Sequence, residues 1–272
     1  MEMNFNLLNK KVDKDLNERK ENYKILCASN TTGLNLIADG DSWFDYPLYK
    51  DTIDLIPDLC TIKPNILKLA HWGDTTMGEL GIKRIKKIQD AIESFAGNFD
   101  GILFSGGGND IAGDQFQLWL NEASVVNHDD SLALNTRFDV ILSLVQAAYQ
   151  DLIELRNKYL FGKPIFINCY DFPIPTNIGV CGQGPWLYPS LLYKGWVDMG
   201  QGAIIIKNAL IKFSNMLKSL ADNPANNIVI VSTQGTLQSN EWANELHPTP
   251  EGFGKIAGKF KEALVSTFLD KV

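Results

Sequence analysis

Ser42 is the residue whose type and position first suggest chemistry, in the segment Gly-Asp-Ser-Trp at positions 40–43. The segment follows an apolar run over residues 34–38, which predicts a buried strand that ends abruptly. Open α/β sheets bind ligands outside the carboxyl ends of their strands, so this serine is well placed for nucleophilic attack. A serine after a strand is usually only a turn residue, and the hypothesis therefore needs a base and an oxyanion site elsewhere.

A base for Ser42 must come from the three histidines of the chain, His71, His128 and His247. His247 lies in the loop over residues 233–248, which follows the last predicted strand and therefore reaches the same edge of the sheet. His71 precedes a predicted helix on that edge, whereas His128 lies in a polar segment where exposure is the simplest interpretation. His247 is the candidate base, because a serine hydroxyl needs a neutral imidazole within hydrogen-bond reach to become a nucleophile.

Donors for an oxyanion are predicted at the same edge. Gly73 follows the apolar run over 66–70 and exposes its N–H without a side chain in the way. Asn109 follows the run over 99–104 and offers a carboxamide N–H, and the backbone N–H of Ser42 is a third candidate. A tetrahedral intermediate needs donors already aimed at its negative oxygen, so these three groups form the candidate oxyanion hole.

Apolar runs that predict strands alternate along the chain with segments of helical periodicity. The alternation predicts an α/β fold with a mostly parallel, five-stranded sheet and helices on both faces. We expect a single domain over residues 31–272, preceded by a polar arm or helix over 1–30, and an irregular insertion over 111–135. Residues 171–200 are rich in proline, glycine and aromatic residues. They predict a long structureless loop that forms either a pocket wall or a packed surface.

The composition limits the classes of partner. The 272 residues are 45% hydrophobic and carry a formal net charge of -7, which argues against nucleic acid or an anionic membrane surface. No run approaches the roughly 18 apolar residues that span a bilayer, and the start lacks a secretory signal pattern, which favours a cytoplasmic location. Scattered cysteines and histidines lack metal-ligand spacing, and the glycines at 106–108 lack a nucleotide-binding pattern, so we expect no metal or cofactor. The oligomeric state is left open.

The motifs identified above occur together in a known order. The chain resembles the SGNH, or GDSL-type, hydrolases from about residue 34 to 270, in four blocks: Gly40-Asp41-Ser42, Gly73, Gly107-Gly108-Asn109-Asp110 and His247. The resemblance implies a flavodoxin-like, three-layer α/β/α fold and ester hydrolysis without metal or cofactor. It also implies that Ser42 is the nucleophile and His247 the base. The N–H groups of Ser42 and Gly73 and the Asn109 side chain are then the oxyanion hole.

One position departs from the family pattern. Asn244 stands three residues before His247, where the family usually has aspartate. In a serine protease, this replacement lowers kcat by about 10⁴ because it favours the wrong imidazole tautomer. A carboxamide oxygen or a backbone carbonyl can still accept the Nδ1–H of the ring, so we expect a dyad assisted by a neutral orienter, with modest activity. The neighbouring Glu245 should point the other way on an extended segment.

Two functions from different classes fit this pattern. The first is a serine esterase for a small acyl or acetyl ester, with acyl transfer to another acceptor as a variant. The second is a ligand-binding module of the same fold without turnover, for which Asn244 is the motivating feature. The substrate class is left open among acetylated carbohydrates, short-chain esters and lysophospholipids. Candidate substrate-binding residues are the aromatic side chains that could line an acyl slot or stack on a sugar, and core packing explains some of them equally well: Trp43, Trp72 and Trp186, with Phe44 and Trp196 as further candidates.

Overall fold

The strands lie where the apolar runs predict them. The computed structural model describes residues 5–79 and 81–272, and these residues contain five strands: β1 Asn35–Gly40, β2 Asn65–Lys68, β3 Gly101–Ser105, β4 Ile165–Asn168 and β5 Ile228–Val231. They form one sheet in the order β2-β1-β3-β4-β5, and every neighbouring pair is parallel. Because all the connections cross over, the five carboxyl ends meet at one edge. The predicted α/β fold with a five-stranded parallel sheet is confirmed.

Helices connect these strands and cover the sheet. They are α1 Phe5–Ser29, α2 Thr52–Leu59, α3 Thr76–Glu79, α4 Ile82–Ser94, α5 Gly108–Ala112, α6 Thr136–Tyr159, α7 Leu187–Tyr193, α8 Met199–Ala221 and α9 Pro250–Phe268. Of the arm or helix expected over 1–30, residues 5–29 are helical and residues 1–4 lie outside the described residues. None of the helices described is long and apolar enough to span a membrane.

The direction of each crossover decides which face a helix covers. Helices α2 and α9 pack against each other, whereas α4, α6 and α8 pack side by side. The step from β1 to β2 runs opposite to the later steps along the sheet. Right-handed crossovers therefore place α2 on the other face from α4, α6 and α8. Strands that are buried on both faces consist of nearly continuous apolar residues. For this reason the sequence pattern predicts the positions of β1, β3 and β4 closely.

The prediction of a structureless segment over 171–200 is wrong. The segment contains α7, and α8 begins at Met199 within it. The helix was hidden because Pro189 lies inside it and because its first N–H groups are bound by a carboxylate distant in sequence. The insertion over 111–135 is irregular as expected, apart from the end of α5 and three short 3-10 turns: Phe116–Trp119, Ala123–Val126 and Asp130–Leu132.

Helix α2 was not predicted, although its sequence carries a start signal. Asp51 is the N-cap and accepts the backbone N–H of Ile53 at 2.9 Å, while the Asp54 side chain accepts the Asp51 N–H. This reciprocal capping box satisfies donors that the first helical turn leaves unpaired. Pro57 within the helix obscured the pattern, since proline is normally excluded from helix interiors.

The amino ends of β4 and β5 are held by a buried arginine on α6. The Arg156 guanidinium donates to the backbone carbonyls of Lys163, Ala225 and Asn226, the last at 2.6 Å. Its side chain is fully buried, and burial lowers the pKa of Arg156 from its ordinary value. The contact lies at the edge of the sheet opposite the carboxyl ends.

Arg156→Met is expected to lower the free energy of unfolding by about 2–3 kcal/mol, because carbonyls at this edge lose a charged donor. Denaturant titration measures the change. Arg137→Met is the matched control, since Arg137 lies exposed on the same helix and its loss should change stability by less than about 0.5 kcal/mol. Equal midpoints for the two variants would show that the Arg156 contacts contribute nothing.

Candidate active site

Strand β1 ends at a glycine that no other residue can replace without distortion. Gly40 has a φ of 144°, and a Cβ built there would lie 2.2 Å from the Ser105 carbonyl oxygen of β3. The next residue continues the close approach, because the Asp41 N–H donates to that carbonyl at 2.9 Å. Only glycine permits this contact between the two strands. The chain then turns sharply, and Ser42 follows at the carboxyl edge.

The side chain of Asp41 joins the carboxyl ends of three strands beneath the serine. Its carboxylate accepts the Trp43 N–H at 3.0 Å, the Ser105 hydroxyl at 2.9 Å and the Tyr170 hydroxyl at 2.6 Å. Asn168, at the end of β4, donates in turn to the Ser105 hydroxyl at 2.9 Å. Burial raises the pKa of Asp41 to about 6, although these hydrogen bonds oppose the rise. The network fixes the turn that carries Ser42.

His247 meets Ser42 across the sheet edge. The Ser42 Oγ atom lies 2.7 Å from His247 Nε2, and His247 Nδ1 lies 2.8 Å from Asn244 Oδ1. The same asparagine oxygen accepts the backbone N–H groups of Leu246 and His247, both at 3.1 Å, in an Asx turn. Two backbone donors identify this atom as the oxygen, so it can only accept, and the ring proton is assigned to Nδ1. Nε2 therefore accepts a hydrogen bond from the Ser42 hydroxyl.

The three side chains are nearly removed from water. Exposed fractions are 7% for Ser42, 3% for Asn244 and 6% for His247. Burial lowers the pKa of His247 to about 4, because the charged ring would lose its hydration. The Tyr46 ring packs on the imidazole with centroids 4.8 Å apart, and the Trp186 ring approaches edge-on at 6.1 Å. The imidazole is therefore neutral at neutral pH, which is the form that a base requires.

Glu245 points away from His247 and binds the segment over 171–200. Its carboxylate is fully buried. It accepts four backbone N–H groups at 2.6 to 3.1 Å, those of Asn177, Trp186, Leu187 and Tyr188. Three of these groups belong to the start of α7, where an anion satisfies otherwise unpaired donors. Glu245 thereby fixes Trp186 beside the His247 ring.

The three residues of the predicted oxyanion hole, Ser42, Gly73 and Asn109, border one cleft. Gly73 adopts a φ of 79°, in the left-handed region that favours glycine. The Asn109 carboxamide donates one N–H to the Asp74 carbonyl at 2.7 Å, which holds the Gly73 segment and leaves its second N–H for a ligand. Within the described part of the chain, neither the Ser42 nor the Gly73 N–H donates to a protein acceptor. All three groups line the same cleft.

That cleft, which we call the wide cleft, has a volume of about 370 Å³. Besides Ser42 and His247, its walls include Trp72, Gly73, Asn109, Gln115, Gln183 and Trp186. Of the predicted substrate-binding aromatics, Trp72 and Trp186 lie on it, and Trp72 is 46% exposed. Trp43 is buried behind Ser42, where its Nε1–H donates to the Leu246 carbonyl at 3.0 Å.

The suggestion that Phe44 and Trp196 contact substrate is wrong. Both side chains are fully buried in the core. Trp196 donates its Nε1–H to the Asn121 carbonyl at 3.0 Å, and Phe44 packs against Phe260 of α9. A large aromatic ring is recruited to the core as readily as to a cleft, and a single sequence does not separate the two cases.

The other two histidines lie away from the dyad. His71 is partly exposed and stacks on Trp72, with ring centroids 5.5 Å apart, while Asp74 lies 3.8 Å from its Nδ1. His128 is exposed and packs against the Trp196 ring. In the part of the chain that the structure describes, no group of three or more His, Cys, Asp or Glu side chains is arranged to hold a metal ion.

Two tyrosines that the sequence did not single out support the dyad. The Tyr46 hydroxyl accepts the Asn244 Nδ2–H at 3.3 Å, and burial raises the pKa of Tyr46. Tyr49 packs on Tyr46 and donates its hydroxyl proton to the Pro248 carbonyl at 2.7 Å. Only their closeness to Ser42 in the sequence could have indicated this role. The Tyr-x-x-Tyr spacing itself indicates nothing, because it is common in helices and turns.

Solved structures with this architecture place the chain among known folds. A lipase, Lip_vut3, from a goat rumen metagenome is 17% identical with a TM-score of 0.54, and the match covers 85% of this chain and 97% of that one. A member of the lipolytic G-D-S-L family from Veillonella parvula is 14% identical with a TM-score of 0.46, covering 88% and 100%. A carbohydrate esterase family 3 protein from Talaromyces cellulolyticus is 12% identical with a TM-score of 0.45, covering 86% and 97%.

The chain has the fold of the SGNH hydrolases. The order of the sheet and the flanking helices agree with the fold that the four sequence blocks implied. No family model matches the chain, and no curated protein matches it in sequence. The likeness to SGNH hydrolases is therefore one of fold, and the chemistry must be argued from the residues of the site.

The buried environment of the ring predicts an unusual titration for His247. In a ¹⁵N NMR titration, we expect its ring to stay neutral with the proton on Nδ1 until the pH approaches about 4. In denaturant the same ring should titrate near 6.5, the ordinary value for histidine. The His247→Asn variant assigns the signal by its loss. Native titration near 6.5, or a proton on Nε2, would contradict the buried geometry.

Proposed function

We propose that this protein is a carboxylic ester hydrolase that acts through an acyl-enzyme on Ser42. The observation that carries the proposal is the 2.7 Å contact between Ser42 Oγ and the neutral His247 ring, in a cleft that Gly73 and Asn109 also border. This arrangement of nucleophile, base and oxyanion donors is suited to acyl transfer. The shared fold with a lipase supports the same reaction class.

In the first half of the proposed reaction, Ser42 Oγ attacks the carbonyl carbon of the ester and its proton passes to His247 Nε2. The carbonyl oxygen becomes an oxyanion, which accepts hydrogen bonds from the N–H groups of Ser42, Gly73 and Asn109. When the intermediate collapses, His247 returns the proton to the departing alkoxide. An alcohol leaves, and the acyl group remains on Ser42.

In the second half, water attacks the acyl carbon and gives a proton to His247 Nε2. Collapse of the second intermediate returns this proton to Ser42 Oγ and releases the carboxylic acid. Asn244 keeps the Nδ1 proton in place throughout, because its oxygen accepts from Nδ1 in both charge states of the ring. A carboxamide stabilises the imidazolium less than a carboxylate does, so we expect modest turnover.

We propose that the substrate is an ester of a small acyl group, such as acetate, bound between Trp72 and Trp186. The alternative is a binding module that keeps the cleft without turnover, since Asn244 replaces an anionic orienter. Both functions use the same cleft. They differ in whether the Ser42 hydroxyl is reactive, and a covalent probe measures this directly.

A fluorophosphonate probe is expected to label the native protein and not Ser42→Ala, because only an activated hydroxyl attacks phosphorus at a useful rate. Ser232→Ala is the matched control, since Ser232 follows β5 at the same sheet edge and is exposed. It should be labelled like the native protein. Folded native protein that resists labelling would overturn the hydrolase and favour the binding module.

Asn244→Ala is expected to lower kcat/KM about 10- to 100-fold, because the ring loses an acceptor worth about 1.5–3 kcal/mol when charged. Asn244→Asp is the control with the same shape. The aspartate still accepts from Nδ1–H, and its negative charge stabilises the imidazolium. The variant should therefore have a higher kcat, and the pKa of His247 should rise above about 4. If Asn244→Ala keeps full activity, a group other than Asn244 orients the ring.

A further inference from the structure

A second opening borders Ser42 but not His247. It is narrow, with room for about 30 Å³, and we call it the crevice. Its walls include Ser42, Trp43, Asn109, Ala112, Leu210 and Leu246. Ser42, Asn109 and Leu246 border both openings, whereas Gly73 and His247 border only the wide cleft. The reaction proposed above has no role yet for the crevice.

The tetrahedral intermediate requires separate directions for its four substituents. One is Ser42 Oγ, and the oxyanion points to the N–H donors of Gly73 and Asn109. The leaving oxygen must lie within hydrogen-bond reach of His247 Nε2 to receive its proton, so the alcohol extends into the wide cleft. The fourth substituent, the acyl chain, needs another space beside Ser42, and the crevice offers one.

The walls of the crevice suit an apolar group of very limited size. Its carboxylates are already engaged: Asp41 accepts from Trp43 and Tyr170, and Asp171 accepts backbone N–H groups of residues 172, 235 and 237. The remaining surface is largely aromatic and aliphatic. This room of about 30 Å³ is about two to three times what one water molecule needs, so a short acyl chain of about two or three carbon atoms fits it.

We infer that the crevice is the acyl site and that it selects acetyl and similarly short acyl groups. The alcohol part of the ester occupies the wide cleft, which is more than ten times larger. There the Trp72 and Trp186 rings, with the Gln183 carboxamide and the Gln115 side-chain oxygen, suit a large alcohol that has both a flat face and polar groups. The inference rests on the proposed ester hydrolysis and adds the division of the substrate between the two openings.

The test measures kcat/KM for the p-nitrophenyl esters of acetate, propionate, butyrate and hexanoate. In the native protein, butyrate is expected to be about 10- to 100-fold slower than acetate, since extra methylenes overpack the crevice. Leu210→Ala widens the crevice alone and should raise the butyrate-to-acetate ratio about tenfold. Ala112→Val narrows it and should lower the propionate-to-acetate ratio, so the two variants change selectivity in opposite directions.

Trp186→Ala is the control in the wide cleft. It should lower kcat/KM for esters of large aromatic alcohols such as naphthyl acetate. The ratio of kcat/KM for butyrate to kcat/KM for acetate should stay as in the native protein. If Trp186→Ala changes chain-length preference and the two crevice variants do not, the acyl chain lies in the wide cleft and the inference is wrong. If no ester is cleaved in a Ser42-dependent way, the proposed function fails together with it.

Discussion

The site depends on one hydrogen bond, from the Ser42 hydroxyl to a neutral imidazole that is almost fully buried. Burial lowers the pKa of His247 to about 4, so the resting ring carries no charge and needs no buried counter-ion. Asn244 supplies a neutral acceptor for Nδ1–H, where aspartate would add a negative charge with its own desolvation penalty. The consequence is a resting site without charge among its three central side chains. In the proposed reaction this arrangement has a weakness, because the Asn244 carboxamide stabilises the imidazolium formed during attack only through its dipole.

Two buried carboxylates beside the dyad hold its geometry without contacting the reacting atoms. Asp41 precedes Ser42 and ties the carboxyl ends of β1, β3 and β4 through Ser105 and Tyr170. Glu245 stands between Asn244 and His247 in the sequence, and its carboxylate binds the start of α7. This contact brings Trp186 against the imidazole. Ser42 and His247 therefore sit on two loops, each fixed by a buried carboxylate that does not line the wide cleft. Hydrogen bonds to backbone N–H groups keep these charges satisfied in the interior.

The sequence predicts the strands, the sheet edge and the candidate dyad because these follow from local patterns and from the geometry of parallel strands. Burial on both faces makes the central strands β1, β3 and β4 largely apolar runs, and short apolar runs also locate the edge strands β2 and β5. Ser42, Gly73, Asn109 and His247 each follow one of these strands. Helix α7 and the burial of Trp196 depend instead on partners distant in sequence, such as Glu245, which no local pattern reveals. Glu245 points away from His247 as predicted, although the reason differs, because residues 243–246 bend in an Asx turn and do not run extended. Its role in binding four backbone N–H groups was not predicted.

The most direct test of the central claim is to trap the covalent intermediate. The protein is mixed with p-nitrophenyl acetate, quenched in acid during turnover, digested and analysed by mass spectrometry. We predict one acetyl group on the peptide that contains Ser42. Turnover without acetyl on that peptide, or the same acetylation pattern in Ser42→Ala, would contradict a reaction that passes through Ser42.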